Sequence, residues 1–383
     1  MHIVVIGPFG MQPLGTMRVR ALPLAQALVK RGHTVDMLLP PWQNPEDEGR
    51  VWQDAGVRVE NMLLPPNILG WFQIRLTAAL VQRAKGLNPD VIHFFKPKAY
   101  AGLAHRALKT RFPAVVDSDD WEGPGGWNDL NPYPTSLKRF FSWQERWGLK
   151  SAGAVTTASV ALQTLAWAMG GKPERVFYLP NGVVMSAASR SADIEKKRPV
   201  VLLYTRFYEF EMQRLWRILS SIRLSVPQAQ ILVVGKGFFG EEARLMTLAR
   251  DAGWQVGEGS QLSPAYDLFY AGLGTPENLP GYLAYADVAI YPFQDTLVNR
   301  TKCPVKLLDL LAAGIPVVAD AVGQINEMIQ HGVSGFLIRG AEEAAFSNAV
   351  ASLLLDPAQQ KEMAGNAVRD MRECFSWDAL AGV

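Results

Sequence analysis

Cysteine is almost absent from this chain. Cys303 and Cys374 are the only two among 383 residues, and neither stands in a paired spacing, so the sequence offers no zinc site and no disulfide framework. A reducing, cytoplasmic compartment is therefore the expectation. Runs of about 18 apolar residues are missing too, which excludes a bilayer-spanning helix and leaves peripheral contact as the form that membrane association can take. The opening run His2–Ile6 is too short for a secretion-signal core and follows no basic leader, so it reads as a first strand. There is no low-complexity tail and no short-period repeat. A Gly-x-Gly-x-x-Gly fingerprint is lacking, which argues against a nicotinamide dinucleotide. The second half has no Asp-x-Asp at a strand end; Asp117-Ser118-Asp119 has that spelling in the first half. No metal and no resident cofactor are expected, and nothing specific points to nucleic acid.

What is present describes a globular protein of two domains, with 49% hydrophobic and 19% charged residues. The net charge is only +2, but it is unevenly divided. Up to residue 190 there are 21 basic against 14 acidic side chains, a balance of +7, and afterwards 17 against 22, a balance of −5. Such a split suits halves that meet different partners, an anionic surface or acceptor for the basic one; drift in surface charge is the plainer alternative. Apolar, strand-like runs recur at His2–Ile6, Thr34–Leu39, Val91–Phe95, Ala114–Asp117 and Ala154–Thr157, then at Val200–Tyr204, Gln230–Val234, Asp287–Tyr291 and Pro316–Ala319, with helical stretches between them. This βαβ rhythm predicts two doubly wound parallel sheets, a Rossmann-like α/β domain over 1–190 and another over 191–383. The small and charged residues from Ser186 to Pro199 place the boundary near 190. Ligands of open α/β sheets bind at the carboxyl ends of strands, so two such domains facing a central cleft suit group transfer, with water excluded. The last helix is expected to return toward the N-terminal domain.

Three segments carry candidate chemistry. Gly7-Pro-Phe-Gly10 through Gly15 to Arg20 is a glycine-rich turn entering a helix, either a phosphate cradle or an ordinary turn. Val201–Tyr204 delivers Arg206 to a strand end, where a guanidinium can grip a diphosphate in bidentate fashion. In Asn299-Arg300-Thr301-Lys302-Cys303-Pro304-Val305-Lys306-Leu307-Leu308-Asp309, a basic, proline-broken loop enters a helix that ends at Gly314. Lysines, backbone N–H groups and the helix dipole converge there on a site for a diphosphate leaving group. Asp309, one turn on, is placed to accept from a ribose.

Taken together, the segments resemble the retaining glycosyltransferase family four. The resemblance runs through Arg31-Gly32-His33-Thr34-Val35, Pro89–His93, Leu179-Pro180-Asn181-Gly182-Val183, Leu232–Gly237, Leu279–Asp287, Lys306–Ala319, Glu327, His331–Phe336 and Phe375-Ser376-Trp377, in family order. It implies the GT-B fold and a nucleotide-diphosphate sugar as donor. It also implies front-face attack by an acceptor hydroxyl on a glycan, a lipid-linked or a small-molecule acceptor. Arg206, Lys306 and Asp119 form the expected catalytic set, and Gly15, Lys302, Val305, Leu307 and Asp309 the donor-binding set. Departures are equally plain. The family's pair of glutamates eight positions apart falls here on Thr301 and Asp309. Its usual lysine after the phosphate arginine is Glu211, for which Lys302 is a substitute, and its histidine falls in the Asp119-Asp120 region. Those aspartates read either as sugar-binding carboxylates, one accepting a proton from the nucleophile, or as a capping cluster.

One further stretch is distinctive. Phe140, Trp143 and Trp147 recur at helical spacing among Lys138, Arg139, Arg146 and Lys150, which suits core packing of the rings or contact with an anionic bilayer. Leu69–Arg83 is a weaker case of the same kind. Two other functions stay open beside transfer: a nucleotide-sugar 2-epimerase, and a non-catalytic sugar-nucleotide or glycan-binding relative suggested by Thr301.

Overall fold

The computed structural model describes every residue except 13–14, 69–70 and 186–196. The chain forms two compact units. The first comprises Met1–Val184, Arg300–Cys303 and Trp377–Val383, and the second Met185–Asn299 and Pro304–Ser376. The expected boundary near 190 lies outside the described residues.

In the first unit eight strands build one sheet: β1 His2–Ile6, β2 Thr34–Leu39, β3 Val51–Asp54, β4 Val57–Asn61, β5 Val91–Phe95, β6 Ala114–Ser118, β7 Ala154–Thr157 and β8 Val176–Tyr178. Their order is β3-β4-β2-β1-β5-β6-β7-β8. All neighbours are parallel except β3 with β4. Strand β1 is buried from Ile3 to Ile6, as a parallel strand covered by helices on both faces must be. Its neighbours β2 and β5 continue the chain in opposite directions, so the switch point of the sheet lies beside β1.

The second unit is an all-parallel sheet of β9 Val200–Tyr204, β10 Gln230–Val234, β11 Val256–Glu258, β12 Leu268–Tyr270, β13 Val288–Tyr291, β14 Val317–Asp320 and β15 Gly335–Ile338. The order is β11-β12-β10-β9-β13-β14-β15, which puts the switch point between β9 and β13. Every residue of β9, β10 and β13 is buried. Both sheets thus follow the doubly wound plan.

The first unit draws its core from both ends of the chain. Trp377 and Leu380 pack with Val35, Met37, Leu179 and the helix Leu22–Lys30. A Cβ added at Gly182 would sit 2.7 Å from the Trp377 ring, so glycine is needed there for the close approach.

The helix Thr135–Ser151 resolves one open reading. It buries Phe141, Gln144, Glu145, Gly148 and Leu149, and leaves Phe140 36% and Trp143 43% exposed. Phe140 and Trp143 are therefore turned away from the core, because the inward stripe falls one residue later in the helical repeat, while Trp147 is half-buried, its ring 4.9 Å from that of buried His105.

Candidate active site

In the second unit the site grows from the end of β9. Thr205 Oγ1 accepts from the Phe207 N–H at 2.8 Å and donates to Glu209 Oε2 at 3.1 Å, closing a tight turn in which Phe207 takes a φ of 68°. The turn leaves Arg206 exposed at the strand's carboxyl end. The loop after β10 presses close: a Cβ at Gly235 would lie 1.8 Å from the Thr205 carbonyl oxygen. At a φ of 128° only glycine fits that contact.

The helix Val305–Ala312 brings its first turn to the same place. Lys306 Nζ stands 3.5 Å from the centroid of the Tyr204 ring, a cation–π contact that fixes a flexible side chain over the last residue of β9. Burial pushes the Asp309 carboxyl up to about 6, and Lys306, one turn earlier, pulls it partly back. Burial and Asp309 raise the Tyr204 phenol, while Arg206 lowers it, so all four side chains share one field. Of the expected residues, the structure brings together Arg206, Lys306 and Asp309. Val305 opens the helix beside them, while Leu307 is buried and its N–H already donates to the Pro304 carbonyl at 3.1 Å. Lys302 belongs with the first unit, between Thr301, whose carbonyl accepts from Ser159 Oγ at 2.7 Å, and Cys303, held by Asn181.

In the first unit the polar residues gather at the carboxyl ends of β5 and β6. Lys96 follows β5 in a left-handed conformation, φ 53°, which turns its side chain across to the next strand. Its Nζ lies 3.0 Å from Asp119 Oδ1, 2.8 Å from Asp120 Oδ2 and 3.6 Å from Glu122 Oε1. Lys98 in turn bonds Glu122 at 2.8 Å and Asn128 at 2.7 Å. Thr16, next to Gly15, donates to Asp119 Oδ2 at 3.0 Å, so the glycine-rich turn meets the predicted catalytic carboxylate. Burial lifts Asp119 to about 6, against the pull of Lys96.

Beneath this cluster Arg20 binds Asp117 through two bonds of 2.8 and 2.6 Å, and also Asn181 Oδ1 and the Leu179 carbonyl. Burial opposes the Asp117 charge, yet Arg20 holds the carboxyl below its usual range. Burial drops neighbouring His93 to about 4, leaving it neutral. Sequence reasoning gave no role to Lys96, Arg20 or Tyr204. The signal for Lys96 was its place directly after a strand, in Lys96-Pro97-Lys98.

Glu145 accepts from Ser118 Oγ at 2.9 Å, while its Oε2 is buried with no hydrogen-bond partner. Burial first, and then Glu122, push it up to about 8. The folded carboxyl holds its proton more tightly than the unfolded one, whose value is 4.5. Its contribution is thus fully present below pH 4.5 and is lost as pH rises toward 8. Glu145→Gln is expected to lie within about 1 kcal/mol of the parent at pH 5 and to exceed it by about 4–5 kcal/mol at pH 8.5, measured by urea unfolding at both values. Parallel behaviour of the two proteins across that range would mean that Glu145 is ionised when folded.

Comparison with known proteins decides the family. The family model for a glycosyl transferase 4-like domain matches residues 15–182, and that for glycosyl transferases group 1 matches residues 198–356. The chain belongs to the group 1 glycosyltransferases of the GT4 type. A relative of this glycosyltransferase is the GDP-mannose-dependent alpha-(1-6)-phosphatidylinositol monomannoside mannosyltransferase of Mycobacterium tuberculosis, strain CDC 1551. The two are 25% identical over 368 residues, which cover 92% of this chain and 88% of the relative. Sucrose-phosphate synthase from Thermosynechococcus elongatus superposes with a TM-score of 0.73 at 19% identity, over 99% of this chain and 96% of that one. Anabaena HepE in complex with UDP-glucose gives 0.68 at 19% identity, over 99% and 97%. These structures show that the glycosyltransferase has the GT-B fold.

Proposed function

We propose that this enzyme transfers a hexose from a nucleoside-diphosphate sugar to an acceptor hydroxyl, with retention of anomeric configuration and without a metal ion. The observation that carries the reading is the ammonium of Lys306, fixed over Tyr204 beside Arg206 and Asp309 at the switch point of the second sheet. As the bond between the sugar C1 and the diphosphate oxygen breaks, negative charge builds on the leaving group. Preorganised cations stabilise that charge more than they stabilise the ground state. Lys306 and Arg206 supply them. The acceptor oxygen forms its bond to C1 on the face the diphosphate leaves, and its proton passes to a diphosphate oxygen. Asp309 is assigned to the ribose.

The first unit is the acceptor side. Asp119 and Asp120, held by Lys96, offer carboxylate oxygens to sugar or polyol hydroxyls. The mannosyltransferase relative acts on a phosphatidylinositol mannoside, which supports a lipid-linked glycan as acceptor. No helix among the described residues is long and apolar enough to cross a membrane, so contact with lipid would be peripheral.

The test incubates the protein with GDP-mannose or UDP-glucose and a panel of glycan, lipid-linked and polyol acceptors, and follows products by NMR. Retained anomeric coupling in the product, at a rate indifferent to chelator, is the expected result. An epimerised donor formed without acceptor, or an inverted product, overturns the reading. The rate also has an expected pH profile. Ionised Asp119 orients the acceptor hydroxyl and ionised Asp309 holds the ribose, both carboxyls being raised to about 6, so kcat/KM is flat well above pH 6 and falls below it, and Asp119→Asn makes that fall shallower by removing one of the two protonations.

A further inference from the structure

The outward face of the Thr135–Ser151 helix and the neighbouring helix Ala99–Leu108 is chemically one-sided. Arg106, Lys109, Arg111, Arg139, Arg146 and Lys150 are all exposed there. None of the six forms an ion pair among the described residues. Between residues 99 and 111 there is no acidic side chain, and between 135 and 151 the one acidic residue, Glu145, is buried. Along the middle of this face runs a ladder of rings. Trp143 is flanked by Phe140 at 5.9 Å and Trp147 at 6.1 Å, with interplanar angles of 23° and 22°. Arg106 lies 5.7 Å from the Trp143 centroid and 5.6 Å from that of Trp147, and Lys109 stands 4.7 Å from Trp147.

We propose that this face docks on an anionic lipid bilayer. The exposed indole of Trp143 suits the headgroup region, where one side of the ring is apolar and the other wet. Lysines and arginines around them gain from anionic lipid phosphates. A single-stranded nucleic acid is the competing polyanion, but it binds aromatics by stacking bases on open ring faces. Here the rings lie near-parallel to one another, with Arg106 and Lys109 beside Trp147, and vesicle flotation beside poly(U) binding separates the two polyanions.

The face also has a purpose in relation to the acceptor cluster. The inner side of the same helix carries Glu145, bonded to Ser118 immediately before Asp119. Phe141, in contact with Phe140, lies 4.7 Å from Lys98 Nζ, which holds Glu122. One helix, about 10 Å thick, thus has a bilayer-binding side and an acceptor-side wall, as a lipid-linked acceptor requires. This point deepens the lipid-acceptor reading and rests on it, but it is tested without donor or acceptor.

The experiment floats the full-length protein with vesicles of phosphatidylcholine alone or mixed equally with phosphatidylglycerol. Binding to the anionic vesicles only, weakened by high salt, is expected. Arg139→Glu with Arg146→Glu, both exposed and unpaired, should lower the bound fraction more than about tenfold. Trp143→Ser should lower it several-fold while circular dichroism stays that of the parent. Failure to float, equal binding to neutral vesicles, or binding unchanged by the charge reversal overturns the proposal. Binding of poly(U) RNA that the same reversal removes, without vesicle binding, overturns it in favour of nucleic acid. Transfer activity is scored separately, so that either reading can fail alone.

Discussion

Lys306→Ala should slow sugar transfer by about a hundredfold, roughly 3 kcal/mol of barrier, with the fold intact. The ammonium is not a loose surface charge. It is seated over the Tyr204 ring, so its position is set before the donor arrives and little reorganisation is needed when charge develops. Removing one such preorganised donor costs other enzymes between a hundredfold and a thousandfold in turnover. The substitution also strips Asp309 of the cation that restrains its carboxyl, so the acid should titrate above its present value near 6 and lose ribose contacts at neutral pH. Turnover and KM measured together separate the two effects. A fall in kcat belongs to the leaving group, and a rise in KM that is relieved at higher pH belongs to Asp309. Unchanged kcat would remove Lys306 from the mechanism.

Arg20→Ala should cost the first unit about 3–5 kcal/mol. The pair it forms with Asp117 is fully enclosed, at 1% and 0% exposure, and the guanidinium also reaches Asn181 and Leu179. It ties the helix after the glycine-rich turn to the end of β6 and to the segment after β8. Taking away the cation strands a buried carboxylate, and that uncompensated charge causes the loss more than the missing attraction does. Urea unfolding of Arg20→Ala beside Arg20→Met/Asp117→Leu discriminates, since apolar replacement of both partners restores much of the stability. If the single variant loses less than about 1 kcal/mol, water reaches Asp117 and the enclosure is not real.

Strands were readable where burial on both faces forces a continuous apolar run, as in β1, β5, β9 and β10. The hairpin of β3 and β4 escaped notice because one face is wet. In β4, Val57, Val59 and Asn61 are buried while Arg58 and Glu60 are not, and the turn between the strands is only Ala55 and Gly56, both at positive φ. Strands β8, β11 and β12 have three residues each, too few for a period to register. The site divides in the same way. Lys306 and Asp309 were legible because one helix carries both, and Arg206 because it ends a clear strand. Lys96 was not, since its role depends on a left-handed residue and on carboxylates more than twenty positions away. The Trp143 ladder was ambiguous for a physical reason: an amphipathic stripe of aromatics does not say which side of its helix faces the sheet.

The return of the chain end to the first unit has a consequence for how the protein is made. Trp377 and Leu380 fill the same apolar cluster as Val35 and Met37, and Lys30 bonds Asp378. A ribosome that has completed the first 184 residues has therefore not yet made everything their core contains. That apolar cluster fills only when synthesis reaches Trp377 and Leu380, so truncation before Trp377 would leave a hole in the core of the first unit.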